Sequence, residues 1–370
     1  KIKKISNKAI SKKSAYKNLN QKVKKNIFPL IRRHLSTKEK NGTYTKWILD
    51  LRVNDKILNY LNHPKLRVFS QKGPATPDHV IRIKPKPLIL KISDKKEEKL
   101  NNLIGKEIQK FKNNYHKYFL KNKKYVIKPL ELDLNPRLIL VPNLGIIGIG
   151  RTKKEASIVS DLAECTVDII LKAESIGKFQ SIPDKEIFKV EYWPLEQAKL
   201  MNLKRTDFTG NITVISGGCG TIGLSTALEF HKEGSEVVLL EKNSKNIEIV
   251  PDEIKKFAKI IKCDVTNQAE VKKVFLDICR AYGGVDILVS NAGAAWQGEI
   301  GKVSKKIIQD SFDLNFYAHQ YLSQESIKIM LKQNTGGILL YNISKQSVSP
   351  GVNFGPYGLP KASTLFLMRQ

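Results

Sequence analysis

Tyr357 and Lys361 stand one helical turn apart, and Ser344 closes the apolar run Gly337-Ile-Leu-Leu-Tyr-Asn-Ile343 that precedes them. On a helix entered near Pro356 the two side chains share a face, which sets the ammonium against the phenol. A neighbouring cation lowers a phenol pKa. A tyrosine that exchanges its proton easily is what alcohol oxidation or carbonyl reduction needs as general acid or base. Ser344, at a strand end, is placed to hydrogen-bond the substrate oxygen. Pro360 fits only a first helical turn, which sets where the helix starts. Singly, each residue has an ordinary explanation: Tyr and Lys at this spacing occur on any helix, and a Ser after a strand commonly caps a turn. Specificity comes from what stands before them.

A second group of residues could hold a nucleotide. Ile212-Thr-Val-Ile-Ser216 reads as a strand, Gly217-Gly218-Cys219-Gly220-Thr221-Ile222-Gly223 as a turn, and residues 224–232 as a helix, followed by the strand Glu236-Val-Val-Leu-Leu-Glu241. Gly218, Gly220 and Gly223 give G-x-G-x-x-G, and Gly217, Gly220 and Gly223 give the G-x-x-G-x-x-G spacing. Such a turn lets a pyrophosphate approach the backbone at a helix N-terminus. Ile222 lies within it. Glu241 ends the next strand, where a carboxylate accepts bonds from ribose hydroxyls; its charge opposes a 2′-phosphate, so NAD is expected over NADP. A glycine-rich turn without a ligand is the weaker reading.

The elements that must position these groups follow from hydrophobic period. Residues 251–259 read as helix and 260–263 as a third strand ending in Asp264-Val265. Residues 268–282 read as helix, and 285–290 as a fourth strand entering Asn291-Ala292-Gly293. Residues 305–332 read as one long helix carrying Asn315, before the fifth strand at 337–343. This alternation predicts a doubly wound parallel sheet with its site at the strands' carboxyl ends. Upstream, the spacing predicts a surface helix or two within residues 1–40, helix over 47–61, strands at 80–83 and 87–92, and a charged amphipathic helix over 95–124. A strand pair at 137–150 and a long helix opened by the capping box Thr152/Glu155 complete an αβ region. The expected domains are 1–200, a linker at 201–210, and 211–370.

Composition narrows the partners. The chain has 370 residues, 41% of them hydrophobic, and a formal net charge of +29. No apolar run approaches a membrane-spanning length and no secretory signal is visible. The excess charge is mostly Lys and is spread along the chain, whereas phosphate and base recognition favours Arg. No nucleic-acid or membrane partner is expected, although residues 1–33 form a basic cluster and a non-catalytic basic binding module remains the alternative outside enzymology. Cys165, Cys219, Cys263 and Cys279 have no metal-ligand spacing and read as reduced core thiols of a cytoplasmic protein.

Residues from about 208 to 370 resemble the short-chain dehydrogenases, on the glycine turn, Asn291-Ala292-Gly293, helical Asn315, Ser344 and Tyr357-x-x-x-Lys361. The resemblance implies Tyr357 as acid/base, Lys361 on the nicotinamide ribose, Ser344 polarising the carbonyl, Asn315 holding a relay water, and adenosine contacts from Glu241, Asp264 and Val265. Thr221 stands where the family usually has glycine. Gly73-Pro-Ala-Thr-Pro-Asp-His79, the run from Pro142 to Ala156 and Glu191-Tyr-Trp-Pro-Leu-Glu-Gln-Ala-Lys199 resemble bifunctional proteins that fuse a class II aldolase-like part to a dehydrogenase, the rhamnulose-1-phosphate aldolase/alcohol dehydrogenase type. That implies an α/β fold throughout, a small alcohol, aldehyde or sugar-derived substrate in deoxysugar or lactaldehyde-type metabolism, and a homo-oligomer. Aldolases of this class hold a divalent metal with a His-x-His pair, which this sequence lacks, so a metal-dependent aldolase site is expected only upstream of residue 1. The chain reads as a fragment, with an exposed fifth strand and weak activity or insolubility by itself.

Overall fold

The computed structural model describes residues 21–92, 96–201 and 205–370; the expectations for residues 1–20 and for 202–204 of the linker lie outside them. The chain divides into two compact units, one comprising residues up to Arg205 with Arg280–Gly283, the other Thr206–Cys279 with Gly284–Gln370.

The first unit opens with helix α1, Gln21–Leu35. It is not a surface helix, because Ile27, Phe28, Leu30, Ile31 and Leu35 are buried along it. A short antiparallel pair follows, β1 (Thr37–Lys38) and β2 (Tyr44–Thr45). The expected helix over 47–61 is instead β3 (Ile48–Arg52) and α2 (Asp55–Leu61), with Asn54 accepting from Ile57 N as the helix cap. The strand expected at 80–83 is a single helical turn, Val80–Ile83, stopped where Lys84 adopts φ 63°. The run at 87–92 contributes only β4, Leu88–Ile89. Helix α3, Glu97–Asn122, matches its predicted amphipathic span and buries Leu100, Ile104, Ile108, Tyr115 and Phe119.

Strands β5 (Leu138–Val141) and β6 (Gly145–Gly150) pair antiparallel as a tight hairpin. The sheet order is β3-β6-β5-β4, with β4 parallel to β5. Helix α4, Lys153–Ile176, begins at Thr152, whose side chain accepts from Glu155 N. The helix lies so close to β6 that a Cβ at Gly148 would stand 2.4 Å from both Ala156 O and Ser160 Oγ. Helix α2, β5, β6 and α4 close one core around Ile57, Leu138, Leu140, Ile146, Val159 and Val167. Asp50 is buried in β3 and holds Arg52 Nε at 2.7 Å and the Lys153 ammonium. Burial alone would raise its carboxyl; Lys153 and its other donors outweigh that and lower it.

The second unit is a five-stranded, fully parallel sheet of order β11-β10-β7-β8-β9, built from β7 (Ile212–Ser216), β8 (Glu236–Glu241), β9 (Lys259–Lys262), β10 (Ile287–Ser290) and β11 (Ile338–Tyr341). Strand order reverses between β7 and β10, which opens a crevice at their carboxyl ends. The near-continuous burial of β7, β8 and β10 reflects cover on both faces. Helix α5, Thr221–Lys232, crosses from β7 to β8, and its Ala227 joins Ile215, Val237, Leu239 and Ile287 in the core.

The single helix expected over 305–332 is three pieces: α6 (Lys305–Phe312), a π-helical segment (Asp313–Tyr317) and α7 (Ala318–Gln333). Helix α8 is Gly355–Met368. Pro360 lies at its sixth position, one turn deeper than predicted, so the bond its missing N–H would make to the Pro356 carbonyl is lost there. The cysteines are free; Cys219, Cys263 and Cys279 are buried as expected, but Cys165 is exposed on α4.

Candidate active site

The site begins where β7 breaks. Gly217 takes φ +59°, a left-handed conformation, and a Cβ there would meet Ala292 Cα at 3.0 Å. Gly223, in the first turn of α5, faces the same bend: its Cβ would stand 2.5 Å from Gly217 O and 2.8 Å from Gly218 Cα. Gly218 is confined likewise, since a Cβ on it would stand 2.7 Å from Leu239 Cβ. Gly220 differs. It caps α5 at φ −80°, and a Cβ would meet only Gly217 O at 3.5 Å, so its outer side is open. The turn thus presents backbone and an open helix N-terminus, the arrangement a pyrophosphate needs. Ile222 is 61% exposed beside it.

Asn291 ties three strand ends together. Its Nδ2 donates to Ser216 O (3.1 Å) and Gly217 O (3.2 Å), while its Oδ1 accepts from Asn342 Nδ2 (2.9 Å). The Ser216 hydroxyl accepts from the amides of Asn291 (2.9 Å) and Ala292 (3.1 Å). The ends of β7, β10 and β11 are therefore fixed to one another by side chains. Asn291 is a strut, and Gly293 follows it.

Gly293 is the point of convergence. A Cβ on it would stand 3.0 Å from Asn315 Oδ1 and 3.2 Å from Lys361 Nζ. Asn315 is fully buried in the π segment; its Nδ2 donates to Ala294 O (2.9 Å) and Ser311 Oγ (3.1 Å), and its Oδ1 has no partner among the described residues. The Thr364 hydroxyl of α8 donates to Asn315 O at 2.6 Å. A π segment at such a place is the usual accompaniment of a functional side chain.

Lys361 is 2% exposed and donates to Asn342 O at 2.9 Å. Its Nζ lies 5.9 Å from the Tyr357 ring centroid, on the shared face the spacing predicted. Burial lowers its pKa to about 8. Ser344 is partly buried and accepts from Gln346 N at 3.3 Å as the cap of a 3-10 turn, Lys345–Ser347. That turn packs on α8, where a Cβ at Gly358 would stand 2.8 Å from Gln346 O. The structure thus gathers Asn315, Gly293 and Lys361, sets Tyr357 over Lys361, and lays the Ser344 turn against the tyrosine's helix.

Sequence reasoning missed His319. It stands one turn after Asn315 and is 1% exposed. Its Nδ1 is 2.6 Å from Ser290 Oγ and its Nε2 3.5 Å from Lys361 Nζ. Burial first, then the Lys361 charge, push its pKa down to about 3 against a contribution from the Ala292 backbone. Only its i+4 relation to Asn315 could have singled it out, since a lone His on an apolar helix face reads as core.

The remaining predicted residues lie along the β8 and β9 ends. Glu241 is 9% exposed, and its Oε1 accepts from Asn243 N at 2.9 Å. Gly218 N donates to Leu240 O at 3.1 Å, which places the end of β8 beside the glycine turn. Asp264 turns inward on its own loop, accepting from Thr266 N (3.1 Å) and Oγ1 (2.7 Å), and pairs with Lys242 at 2.6 Å. Burial would raise its carboxyl; Lys242 and Thr266 outweigh that and lower it. Val265 is buried. Among the described residues no group of three or more His, Cys, Asp or Glu could hold a metal ion, and no helix is long and apolar enough to cross a membrane.

Known proteins share both units. The family model for "Aldolase class II, second domain" matches residues 22–200, and that for "short chain dehydrogenase" matches residues 211–370. The uncharacterized oxidoreductase YuxG of Bacillus subtilis is 31% identical over 353 residues, 93% of this chain and 50% of that protein. Mouse 17-beta-hydroxysteroid dehydrogenase 13 is 30% identical over 166 residues, 44% of this chain and 53% of its own. The chain thus spans about half the length of these curated relatives. Among solved structures, a short-chain type dehydrogenase/reductase from Mycobacterium marinum aligns with TM-score 0.42 at 26% identity, covering 44% of this chain and 67% of that one. An NAD+-bound xylitol dehydrogenase aligns with TM-score 0.42 at 25% identity, covering 44% and 64%. The chain thus joins a segment that matches the aldolase class II second domain, residues 22–200, to one that matches the short-chain dehydrogenases, residues 211–370.

Proposed function

We propose that residues 211–370 interconvert an alcohol and a carbonyl with NAD, and that residues 1–200 and 201–210 are its aldolase-like companion and linker. The observation that carries this is the convergence of Lys361 and Asn315 on Gly293, with Tyr357 over the ammonium, beside the open glycine turn. The residues present fit a dinucleotide. Gly217, Gly218, Gly220, Ile222 and Gly223 would receive the pyrophosphate, Glu241 the adenosine ribose, Asp264 and Val265 the adenine side, and Asn291, Ala292 and Gly293 the inner ribose with Lys361 and Tyr357. The bound nicotinamide would supply or accept the hydride.

In reduction, Tyr357 gives its phenolic proton to the substrate oxygen as that oxygen gains negative charge. In oxidation it takes the hydroxyl proton. The Lys361 ammonium stands 5.9 Å from the phenol ring centroid in either direction. Ser344, whose oxygen accepts from Gln346 N, keeps its O–H to donate to the substrate oxygen. Asn315, with a buried acceptor left over by its protein partners, would hold a water through which the proton reaches solvent. The carboxylate of Glu241 supports NAD over NADP, because a 2′-phosphate there would meet a like charge.

Substrates of deoxysugar or lactaldehyde type, homo-oligomeric assembly and a cytoplasmic site of action belong to the same reading, supported by the family resemblance alone. Oxidation of short diols and reduction of hydroxy-aldehydes by the full-length protein, compared with its Tyr357→Phe variant, tests it: turnover in the unmodified protein and its loss in the variant is expected, and equal turnover in both would overturn the role of Tyr357.

A second reading, sugar-phosphate cleavage by a metal-dependent aldolase, is favoured by the match over residues 22–200. The donor sets among the described residues do not fit a metal, so no step is derived through one. Zinc-stimulated cleavage of a ketose phosphate by the full-length protein would support it.

A further inference from the structure

Behind Tyr357 runs a buried polar chain that the alcohol–carbonyl reading leaves unexplained. Lys361 is 2%, His319 1% and Ser290 0% exposed. They come from three elements, α8, α7 and the end of β10. An ammonium has three N–H donors and no acceptor. One Lys361 donor goes to Asn342 O (2.9 Å), and a second faces His319 Nε2 at 3.5 Å, the long end of hydrogen-bond range.

The donor fixes the tautomer. A neutral imidazole has one accepting and one donating nitrogen. Paired with the ammonium, Nε2 accepts, which gives the hydrogen to Nδ1 beside Ser290 Oγ at 2.6 Å; the Ala292 backbone is the other polar group against the ring. The other ring against His319 is Tyr341 of β11, at 6.3 Å between centroids, whose hydroxyl is engaged with Ser323 Oγ at 2.6 Å. Burial and the Lys361 charge both disfavour an imidazolium here. The third N–H of Lys361 then has the Gly293 side, where the missing side chain leaves 3.2 Å to the nearest Cβ position.

We propose that His319 is a positioning residue for Lys361: set by the ammonium as the neutral Nδ1–H tautomer and anchored on Ser290, it accepts from the ammonium and, with Asn342 O, leaves the third N–H directed at the dinucleotide ribose and Tyr357. This rests on the dinucleotide reading for its use, but not for its geometry. An unheld lysine would sample rotamers in which that third donor points elsewhere.

The test has two arms. In the full 370-residue chain with 15N-labelled histidine, long-range proton–nitrogen correlation, assigned with His319→Gln, reports the tautomer. His319 is expected as neutral Nδ1–H from about pH 5 to about pH 8. Lys361→Met should release that preference while the other five histidines stay put. An Nε2–H tautomer, or a cationic His319 near pH 6, would overturn the proposal. This arm needs neither substrate nor dinucleotide, so it stands apart from the fate of the oxidoreductase reading.

The second arm titrates NADH by its fluorescence. His319→Leu should weaken binding roughly ten-fold, the scale of one hydrogen bond to a charged group, while His319→Gln, whose amide oxygen can accept in place of Nε2, should recover most of it. Equal losses in both variants would mean packing alone and overturn the proposal. NADH binding absent from the unmodified chain as well would refute the oxidoreductase reading instead.

Discussion

Burying a lysine ammonium costs several kcal/mol unless its surroundings hold the charge, and proteins retain such groups where the charge is used. Lys361, with its pKa lowered to about 8 by burial, is that group here. Carbonyl reduction needs the ammonium and the phenol both protonated, so kcat/KM for reduction is expected to be flat below about pH 8 and to fall above it as Lys361 loses its proton. A pH–rate profile in the reductive direction reads this, and a limb that rises through the same pH would contradict it. Tyr357→Phe removes the proton donor and leaves the fold, so it should lower kcat by about 10²- to 10⁴-fold with dinucleotide affinity retained. The shared face of Tyr357 and Lys361 was legible because a four-residue spacing on a helix sets it. His319 was not, because nothing in its neighbours along the chain reveals Ser290 and Lys361 as its partners.

At the scale of elements, the bend from β7 into α5 separates the glycines that the backbone needs from the one that a ligand needs. A methyl at Gly223 must push on Gly217 O, only 2.5 Å away, whereas one at Gly220 meets open space. Gly223→Ala should therefore destabilise the protein by roughly 1–3 kcal/mol in urea unfolding, the cost of overpacking. Gly220→Ala should unfold like the unmodified protein yet bind NADH more weakly. Equal unfolding midpoints for the two variants would count against this division. The parallel sheet was legible because β7, β8 and β10 are apolar runs of strand length between glycine and helix signals. The stretch 47–61 was not: Ile48, Leu49 and Asp50 are all buried in β3, so the alternation that marks a half-exposed strand is absent. Asp50 hides there because Arg52 and Lys153 hold its charge. The run Val80–Ile83 is too short to separate one helical turn from a strand, and the π segment around Asn315 is met by Thr364, a partner far away in sequence.

For the molecule as a whole, the net charge of +29 carried no fold information, and several of its lysines sit in exposed pairs such as Lys232–Glu229 and Lys302–Glu299, which contribute little to stability. The edge of the parallel sheet has a clearer consequence. On β11, Ile338 is 47% and Leu340 44% exposed, and among the described residues no strand pairs with its outer side, an arrangement that invites strand addition. Leu340→Lys should reduce self-association of the 370-residue chain in light scattering without moving its unfolding midpoint; unchanged association would place the sticky surface elsewhere.

The two units match two families, but the central claim concerns one crevice, and it is tested most directly by titrating the chain with NAD and NADP in a calorimeter. Saturable NAD binding, weaker for NADP, retained in Tyr357→Phe and weakened in Gly220→Ala, is the expected result. No binding of either nucleotide, or equal binding in Gly220→Ala, would contradict a dinucleotide site at the glycine turn and with it the oxidoreductase mechanism built around Lys361.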